Sequence, residues 1–501
     1  MKRFHTVALF VILAVAIFFR FYNAPLRYGI GDDSSRDAFV AYQGAKDIQL
    51  PLTGPFSSLG QFTFGPWYYW QLIAFTRLTN HPFAPWIYLA LASTAFVLVM
   101  YAISKRLMHP TAGLIVALIV ALSPPQISTA KGLTNPNLIS LFAGLSMLLF
   151  LKITTSKRSS WWWFLWGVIL GIGINIHYQM AGLLVFLPLV FFSKNKSLRL
   201  FLWTCLGIGV TFVPMLLFDL NNHWFLLRHM TEYYLWGKNA YYIPYRWLFY
   251  LRDFWPQFWA YTLGLPKLAG IPLLAVVAGT FLLALHKKQL SKPWILLLLV
   301  FGVNFLTLRY YWGERFFGYL QFLHPFIFLF TGFVLWKILS FNRLLGILTL
   351  VALVVAMLPA SIRELPADYP NLMARKDLAL IKQVLPDQPI RIYSCKRRAF
   401  SRTIALAYLL HVDKTLTGVG GTALGYWDAD CGYPPTASVN SYSQTPVINQ
   451  LESFYPNLPS SSLIKLTHAT PSALVSSGWG DPVTPKGIFE ATVRWWFREQ
   501  P

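Results

Sequence analysis

The feature that most constrains this sequence is a succession of about eleven apolar runs. Several of them approach the roughly 20 residues that an α-helix needs to cross a bilayer. The composition agrees, because 55% of the residues are hydrophobic and only 12% are charged, against about a quarter in soluble proteins. We therefore predict an α-helical polytopic membrane protein with about eleven transmembrane helices. The runs cover residues 6–23, 83–104, 111–124, 136–153, 162–176, 178–193, 198–218, 268–286, 293–308, 318–337 and 341–360.

The basic residues indicate how these helices are oriented. Clusters of Lys and Arg fall on every second connection, starting with the N-terminus, and those connections contain no Asp or Glu. Because cytoplasmic loops are enriched in Lys and Arg, we predict a cytoplasmic N-terminus, an outer C-terminus and a multi-pass protein of the plasma (bacterial inner) membrane. This placement accounts for the net charge of +23 without nucleic acid as a partner. The clusters lie at 105–106, 152–158, 194–199, 287–292 and 337–343.

The composition changes after residue 360. Residues 1–360 form the predicted transmembrane domain, whereas the tail at 361–501 resembles an ordinary soluble protein in composition. Its apolar patterns predict a strand at 390–394, a helix at 401–411 and a late strand at 489–497. We therefore expect a small extracytoplasmic α/β domain. An outer location permits a disulfide between its two cysteines, Cys395 and Cys431.

The first outer loop, residues 24–82, carries the strongest chemical signal. It contains the sequence YGIGDDSSRD, whose three carboxylates are costly near a membrane unless they are solvated, paired or used. Asp33 is predicted to be a general base, since a carboxylate that is partly desolvated at the bilayer surface is a better proton acceptor. Asp32 is either the competing base or the N-cap of a helix that starts near Ser34. Arg36, one helical turn later, either holds the carboxylate or binds a phosphate.

An aromatic segment follows in the same loop. Residues 66–79 are too short to be a span in the predicted orientation, and they favour a helix that lies in the membrane interface. Tyr68 and Tyr69 on this helix are either aromatic belt residues or residues that stack on a sugar.

Other outer-face residues are candidates for substrate binding. His177 and Gln179 lie at a tight hairpin between two spans, where they either cap the helix pair or contact the substrate. Arg309 and Arg315 either bind the phosphate of a lipid carrier with paired contacts or extend to the lipid headgroups.

Over about residues 1–360, and best over 1–200, the sequence resembles the C-type polyprenyl-phosphate-sugar glycosyltransferases. It is similar to the protein O-mannosyltransferases and the lipid A aminoarabinose transferases. The pattern consists of one apolar span, an outer loop with Asp-x-x-Arg, a Gly-Pro-aromatic helix and a span that ends in Lys-Arg. The resemblance implies that Asp33, three residues before Arg36, is the catalytic base, with Asp32 as its competitor. The family often has a second acidic residue in the second outer loop, where this chain has Asn135.

These features predict transfer of a sugar from a polyprenyl-phosphate donor to an acceptor lipid, glycan or protein, with inversion at the anomeric carbon. Asp33 takes the acceptor proton, and an arginine or Lys131 stabilises the charge on the leaving phosphate. Asp37 and Asn135 are further residues expected to bind substrate. No Cys/His spacing resembles a zinc site, so we predict no metal and no cofactor. Asn135 replaces the acid that would help to bind a divalent cation, so the sequence does not support such a cation.

Two other classes of function stay as alternatives. A lipid or polysaccharide transporter or flippase predicts internal repeats and ionisable residues in the middle of spans, and the sequence has neither. A non-catalytic cell-envelope assembly protein would have the same topology but would not depend on Asp33.

Overall fold

The computed structural model describes residues 2–57, 62–154, 159–192, 197–236, 246–311, 315–394, 397–418, 420–428, 443–451, 461–467 and 482–493. Cys395 and Cys431, and with them the predicted disulfide, lie outside these residues. The described chain is mostly helical, with a four-stranded sheet in the tail.

The helices follow the apolar runs, and the chain is a multi-pass membrane protein. Seven helices of the described chain are long and apolar enough to cross a membrane: Arg3–Phe21, Ala84–Leu107, Asn135–Thr154, Leu198–Asn221, Lys267–His286, Leu320–Phe341 and Arg343–Ile362. Shorter apolar helices lie at the other four predicted spans, at Pro110–Leu122, Ser160–Ile176, Tyr178–Phe191 and Lys292–Leu308. The number of crossings and their orientation stay predictions.

The segment after Ile176 has a different helix type from the one predicted. It forms two 3₁₀ helices, Tyr178–Phe186 and Pro188–Phe192, in place of an α-helix. A 3₁₀ helix rises about 2.0 Å per residue, against about 1.5 Å in an α-helix. The segment therefore reaches as far as an α-helix roughly a third longer, which offsets its small number of residues.

The first outer loop contains three helices. They are a short turn at Ala24–Arg27, the acidic helix Asp32–Asp47 and the aromatic helix Trp67–Thr79. The acidic and aromatic helices pack against each other. Gly44 permits this close approach, because a Cβ at that position would lie 2.6 Å from Cδ1 of Ile73. The aromatic segment is thus helical, as the sequence predicted.

The other connections also contain helices. Tyr250–Phe254 is a π-helical turn, a form that occurs frequently at functional sites. The remaining helices of the connections are Pro124–Ser128, Phe225–Trp236, Arg246–Phe249 and Trp255–Leu263. Short 3₁₀ turns begin three of the long apolar helices, at Asn135–Leu138, Lys267–Ala269 and Leu320–Leu323.

The tail folds into an α/β arrangement. Its sheet has the order β1-β2-β4-β3, in which β1 and β2 are parallel and the other pairs are antiparallel. A strand and a helix lie where the sequence predicted them, at 390–394 and 401–411. The elements are β1 (Ile390–Ser394), β2 (Thr422–Asp428), β3 (Ser443–Leu451), β4 (Ser461–Thr467) and the helices Tyr369–Val384 and Arg397–Val412.

The prediction of a late strand at 489–497 is wrong over its described part. Residues Pro485–Val493 form a helix. Its buried residues Ile488, Phe489 and Thr492 have the spacing of neighbours on one helical face. This helix packs against the acidic helix, and that tertiary contact favours the helical conformation over a strand.

The tail also contacts the first outer loop through side chains. Asn371 donates hydrogen bonds to the carbonyl oxygens of Pro25 at 3.0 Å and Tyr28 at 2.7 Å. The Tyr408 ring packs edge-on against Phe39 of the acidic helix, with ring centroids 5.2 Å apart. The tail therefore supports the helix that carries the acidic residues.

Candidate functional site

The acidic helix begins earlier than the sequence suggested. Its first residue is Asp32, and the N-cap position is Gly31, which has extended backbone angles and no side chain to accept a hydrogen bond. The prediction that Asp32 caps a helix starting near Ser34 is therefore wrong. Asp32 and Asp33 both lie in the first turn, where the partial positive charge of the helix N-terminus favours carboxylates.

A chain of charged contacts runs from Asp33 into the protein. The Arg36 guanidinium donates from Nη1 to Asp33 at 2.6 Å and contacts Asp37 Oδ1 through Nη2 at 2.8 Å and Nε at 2.9 Å. The Tyr69 hydroxyl donates to the same Asp37 oxygen at 2.8 Å. Arg36 thus holds the Asp33 carboxylate, which is one of the two roles expected for it, and Asp37 and Tyr69 anchor Arg36.

The two carboxylates that contact Arg36 differ in burial. The Asp33 side chain is 64% exposed, whereas that of Asp37 is only 2% exposed. The protein therefore buries the Asp37 carboxylate and leaves the Asp33 carboxylate exposed. Burial raises the pKa of Asp37 to about 6, although the charge of Arg36 and the Tyr69 hydroxyl oppose this rise. Asp33 is the carboxylate that a molecule arriving from outside can reach.

The two tyrosines of the aromatic helix are not belt residues. The side chains of Tyr68 and Tyr69 are fully buried, so neither ring is available to lipid or to a sugar, and both predicted roles are wrong. Their burial follows from the packing of the aromatic helix on the acidic helix. Tyr69 instead supports the ion-pair network through its hydroxyl.

The second outer loop lies beside the acidic helix. Ser34 Oγ donates to the Leu133 carbonyl at 3.2 Å. Lys131, a candidate for the leaving phosphate, forms an ion pair with Glu364 at 2.7 Å. Asn135, which stands where the family often has an acid, donates to the Ile176 carbonyl at 2.7 Å. Both side chains therefore connect this loop to neighbouring segments.

His177 takes the capping role that the sequence left open. Its Nδ1 accepts a hydrogen bond from the Gln179 backbone at 3.4 Å, at the start of the 3₁₀ segment. Its buried ring lies between Phe64 and Tyr319, with centroid distances of 4.8 and 4.9 Å. In the described structure, the buried side-chain oxygen of Gln179 has no hydrogen-bond partner.

Arg315 caps the C-terminal end of a membrane helix. Its guanidinium donates to the carbonyl oxygens of Leu308 at 3.0 Å, Arg309 at 3.2 Å and Tyr311 at 3.2 Å. These carbonyls follow the helix Lys292–Leu308 or end it, and a cation there satisfies groups that lack helical partners. The structure thus gives Arg315 a role that neither of its two predicted interpretations included.

Arg309 has a different environment. It is 7% exposed, and its Nε and Nη1 have no hydrogen-bond partner among the described residues. Its guanidinium lies 5.0 Å from the Trp247 ring centroid and 5.2 Å from that of Tyr310. A buried cation with unused donors favours an anion at this position.

A third arginine, Arg246, lies near these two and was not predicted from the sequence. Burial lowers the pKa of Arg315, and the charges of Arg246 and Arg309 lower it further. The mutual repulsion shows that positive charge accumulates here. The signal that could have found Arg246 is its position in an aromatic outer loop, directly before Trp247.

A series of contacts leads from the acidic helix to Tyr319. The Arg36 guanidinium lies over the Phe56 ring at 5.2 Å, and Phe56 pairs through its backbone with Thr63. Phe64 then stacks on His177, which contacts Tyr319.

In the described part of the chain, no group of three or more His, Cys, Asp and Glu side chains could hold a metal ion.

Comparison with known proteins identifies the fold. A family model described as dolichyl-phosphate-mannose-protein mannosyltransferase matches residues 64–218. The structure of ArnT from Cupriavidus metallidurans bound to undecaprenyl phosphate superposes with a TM-score of 0.59 and 13% identity, covering 91% of this chain and 97% of that one. Its apo structure gives a TM-score of 0.57 and 14% identity, covering 92% and 98%.

The fold is that of the C-type glycosyltransferases. The resemblance predicted from the first outer loop is thereby confirmed. A further structural match is the archaeal oligosaccharyltransferase AglB from Archaeoglobus fulgidus in complex with an inhibitory peptide and a dolichol-phosphate, with a TM-score of 0.50 and 13% identity over 77% of this chain and 58% of that one. No curated protein sequence matches this chain significantly.

The C-type fold and the family model support glycosyl transfer as the general kind of reaction. The segment matched by the family model begins at residue 64, after the acidic helix. The assignment of Asp33 therefore depends on the Asp-x-x-Arg motif and on the geometry of its ion pair.

Proposed function

We propose that this protein is a membrane glycosyltransferase that moves a sugar from a polyprenyl-phosphate donor to an acceptor hydroxyl or amine on the outer membrane face. The observation that carries the proposal is the Asp33 carboxylate. It is exposed, it lies in the first turn of a helix, and Arg36 holds it at 2.6 Å. A general base needs this combination of access to the substrate and a fixed orientation.

The reaction is a single displacement. The Asp33 carboxylate takes the proton of the acceptor as the acceptor oxygen or nitrogen bonds to the anomeric carbon. The bond from that carbon to the phosphate oxygen breaks, and the polyprenyl phosphate leaves with the bonding electrons. Attack opposite the leaving group inverts the anomeric centre. Arg36 keeps the carboxylate in place through its contacts with the buried Asp37.

Arg309 is proposed to contact the leaving phosphate. Its unused Nε and Nη1 donors match the paired contacts that a guanidinium makes with phosphate oxygens. Since Arg315 donates to three carbonyls, Arg309 is the better candidate of the two. Lipid-phosphate ligands in the structures of ArnT and AglB support a donor of the same class.

The membrane domain fits this chemistry. An isoprenoid tail is apolar and stays in the bilayer, while its phosphate and sugar lie at the surface. Seven helices of the described chain are long and apolar enough to cross a membrane, and the acidic helix lies in a connection between two apolar segments, where a lipid-linked donor could meet the base. An enzyme acting on a soluble donor would not need this arrangement.

The direct test incubates the purified full chain in lipid nanodiscs with a panel of polyprenyl-phosphate sugars and follows release of the free carrier. We expect release with at least one donor, and none from a double variant Asp32→Asn/Asp33→Asn that still binds the donor. Equal release by the double variant would overturn the mechanism. No release with any donor, in the presence of lipid, glycan and peptide acceptors, would overturn the proposed function.

A further inference from the structure

A groove lies between three membrane helices at the end where the basic connections cluster. It has a volume of about 640 Å³ and is lined by the helices Ala84–Leu107, Ile139–Thr154 and Ser160–Ile176. The proposed transfer reaction uses none of its residues. The groove therefore needs an explanation of its own.

The mouth of the groove is basic. Lys105 and Arg106 in the last turn of one helix and Lys152 in the last turn of another line it. The Lys105 ammonium lies 5.7 Å from the Tyr101 ring centroid, and that of Lys152 lies 5.8 Å from the Trp162 ring. None of the described residues that line the groove is acidic. An anion is the ligand that complements this mouth.

The walls below the mouth are apolar. Leu145 and Leu148 come from one helix, and Leu165 and Ile169 come from the next. From Leu145 to Lys152 the helix rises roughly 10 Å, about a third of the ~30 Å hydrocarbon core. A soluble anion would leave these walls without a partner, whereas a hydrocarbon chain would cover them.

We propose that this groove binds an anionic glycerophospholipid. Its phosphate lies at the Lys105 and Lys152 ammonium groups, and one acyl chain lies along Leu148 and Ile169. Basic pockets between membrane helices recognise anionic headgroups in this way, because a charged mouth and an apolar wall match the two parts of a lipid. The bound lipid would fill the space between the three helices and hold them together.

The test measures lipid binding to the purified full chain by native mass spectrometry. Phosphatidylglycerol and phosphatidylcholine with identical acyl chains are titrated separately. We expect tighter binding of phosphatidylglycerol, and a loss of about five-fold in its affinity for each charge removed in Lys105→Gln and Lys152→Gln. The matched control is Lys287→Gln/Lys288→Gln, which removes two charges from another of the basic connections.

Two further measurements separate the groove from general attraction of charge. Leu148→Trp keeps every charge but fills the wall, and we expect it to weaken phosphatidylglycerol binding as well. Unchanged binding in Leu148→Trp, or equal losses in the groove and control variants, would overturn the proposal. The proposal would also be overturned if the double variant Lys105→Gln/Lys152→Gln lost binding of undecaprenyl phosphate but kept binding of phosphatidylglycerol. The groove would then bind the lipid carrier.

Discussion

The acidic helix and the arginine region at the C-terminal end of Lys292–Leu308 differ in whether their charged side chains are paired. In the acidic helix, Arg36 lies between Asp33 and Asp37, and each charge has an opposite charge within 3 Å. In the arginine region, the Nε and Nη1 donors of Arg309 have no partner among the described residues, and its charge acts on the neighbouring Arg315. The three charges around Arg36 are therefore paired without a ligand, whereas Arg309 has donors that a ligand could use.

This difference separates two tasks of a transferase. A base must be oriented before the substrate arrives, so its ion pairs are built into the protein. A binding site for a charged group must leave donors unused until that group supplies the opposite charge, and the cost of a buried unpaired cation is then recovered on binding. The comparison predicts that substitutions in the acidic helix change the rate and that Arg309 substitutions change donor affinity.

The largest effect is expected for Asp33→Asn. This change keeps the size of the side chain but removes its ability to accept a proton, so kcat should fall by roughly 10²–10⁴. The donor KM should change little, because the phosphate is held by a different region. Steady-state kinetics of carrier release measure both constants.

Asp32→Asn is the matched control for this substitution. It removes a neighbouring carboxylate in the same helical turn without touching the ion pair between Asp33 and Arg36. A small change in kcat is expected. If Asp32→Asn abolished turnover and Asp33→Asn did not, the motif register would be wrong by one residue.

The second effect is on donor affinity. Arg309→Ala should raise the donor KM roughly ten- to hundred-fold, the range expected for charge-assisted hydrogen bonds of about 1.5–3 kcal/mol. Arg309→Lys should recover only part of this loss, because an ammonium cannot make paired contacts with a phosphate. The free energy of unfolding should change little, since no described residue accepts a hydrogen bond from these two donors.

Arg315→Ala provides the contrast within the same region. It removes three hydrogen bonds to carbonyl oxygens, so we expect a loss of about 1–3 kcal/mol of stability with a nearly unchanged donor KM. Thermal unfolding in nanodiscs and donor kinetics distinguish the two arginines. A raised KM for Arg315→Ala at unchanged stability would reverse their roles.

The sequence predicted those features that depend on local information. Apolar runs mark the helices directly, and Asp33 and Arg36 are three residues apart, the spacing of neighbours on a helix. Tyr69 and Asp37 are 32 residues apart in the sequence and lie on different helices. Their contact depends on how closely the two helices pack at Gly44. The exposure of Asp33 and the burial of Asp37 have the same origin, so neither could be predicted from the motif.

The role of Arg315 was missed for a related reason. Its donors bind carbonyl oxygens at the end of the helix Lys292–Leu308 and just after it, and the residue pattern did not indicate these contacts. The late helix Pro485–Val493 is a third case, since its contact with the acidic helix connects segments more than 400 residues apart. The Tyr69 contact and the late helix depend on tertiary contacts, whereas the Arg315 contacts depend on the local backbone conformation, and none of the three had a sequence signal that identified it.

The smallest effect concerns the anchor Asp37. Burial raises its pKa to about 6, so the carboxylate that pairs with Arg36 is ionised above this pH and protonated below it. As the pH falls through about 6, Arg36 loses one of its two partners and the orientation of Asp33 loosens. We expect kcat to fall about ten-fold between pH 7 and 5, equivalent to ~1.4 kcal/mol. The pH profile of carrier release measures this.

The free energy of unfolding should depend on pH in the direction opposite to kcat, and should decrease as the pH rises. An unfolded Asp loses its proton near pH 4, whereas folded Asp37 keeps its proton until about pH 6. The proton therefore stabilises the fold at low pH, and this contribution is lost as the pH rises from about 4 to 6.

Asp37→Asn should remove this pH dependence of stability and the decline of kcat near pH 6. Tyr69→Phe removes a hydrogen bond that lowers the Asp37 pKa, so it should move the decline to higher pH. An unshifted profile in Tyr69→Phe would show that another group causes it.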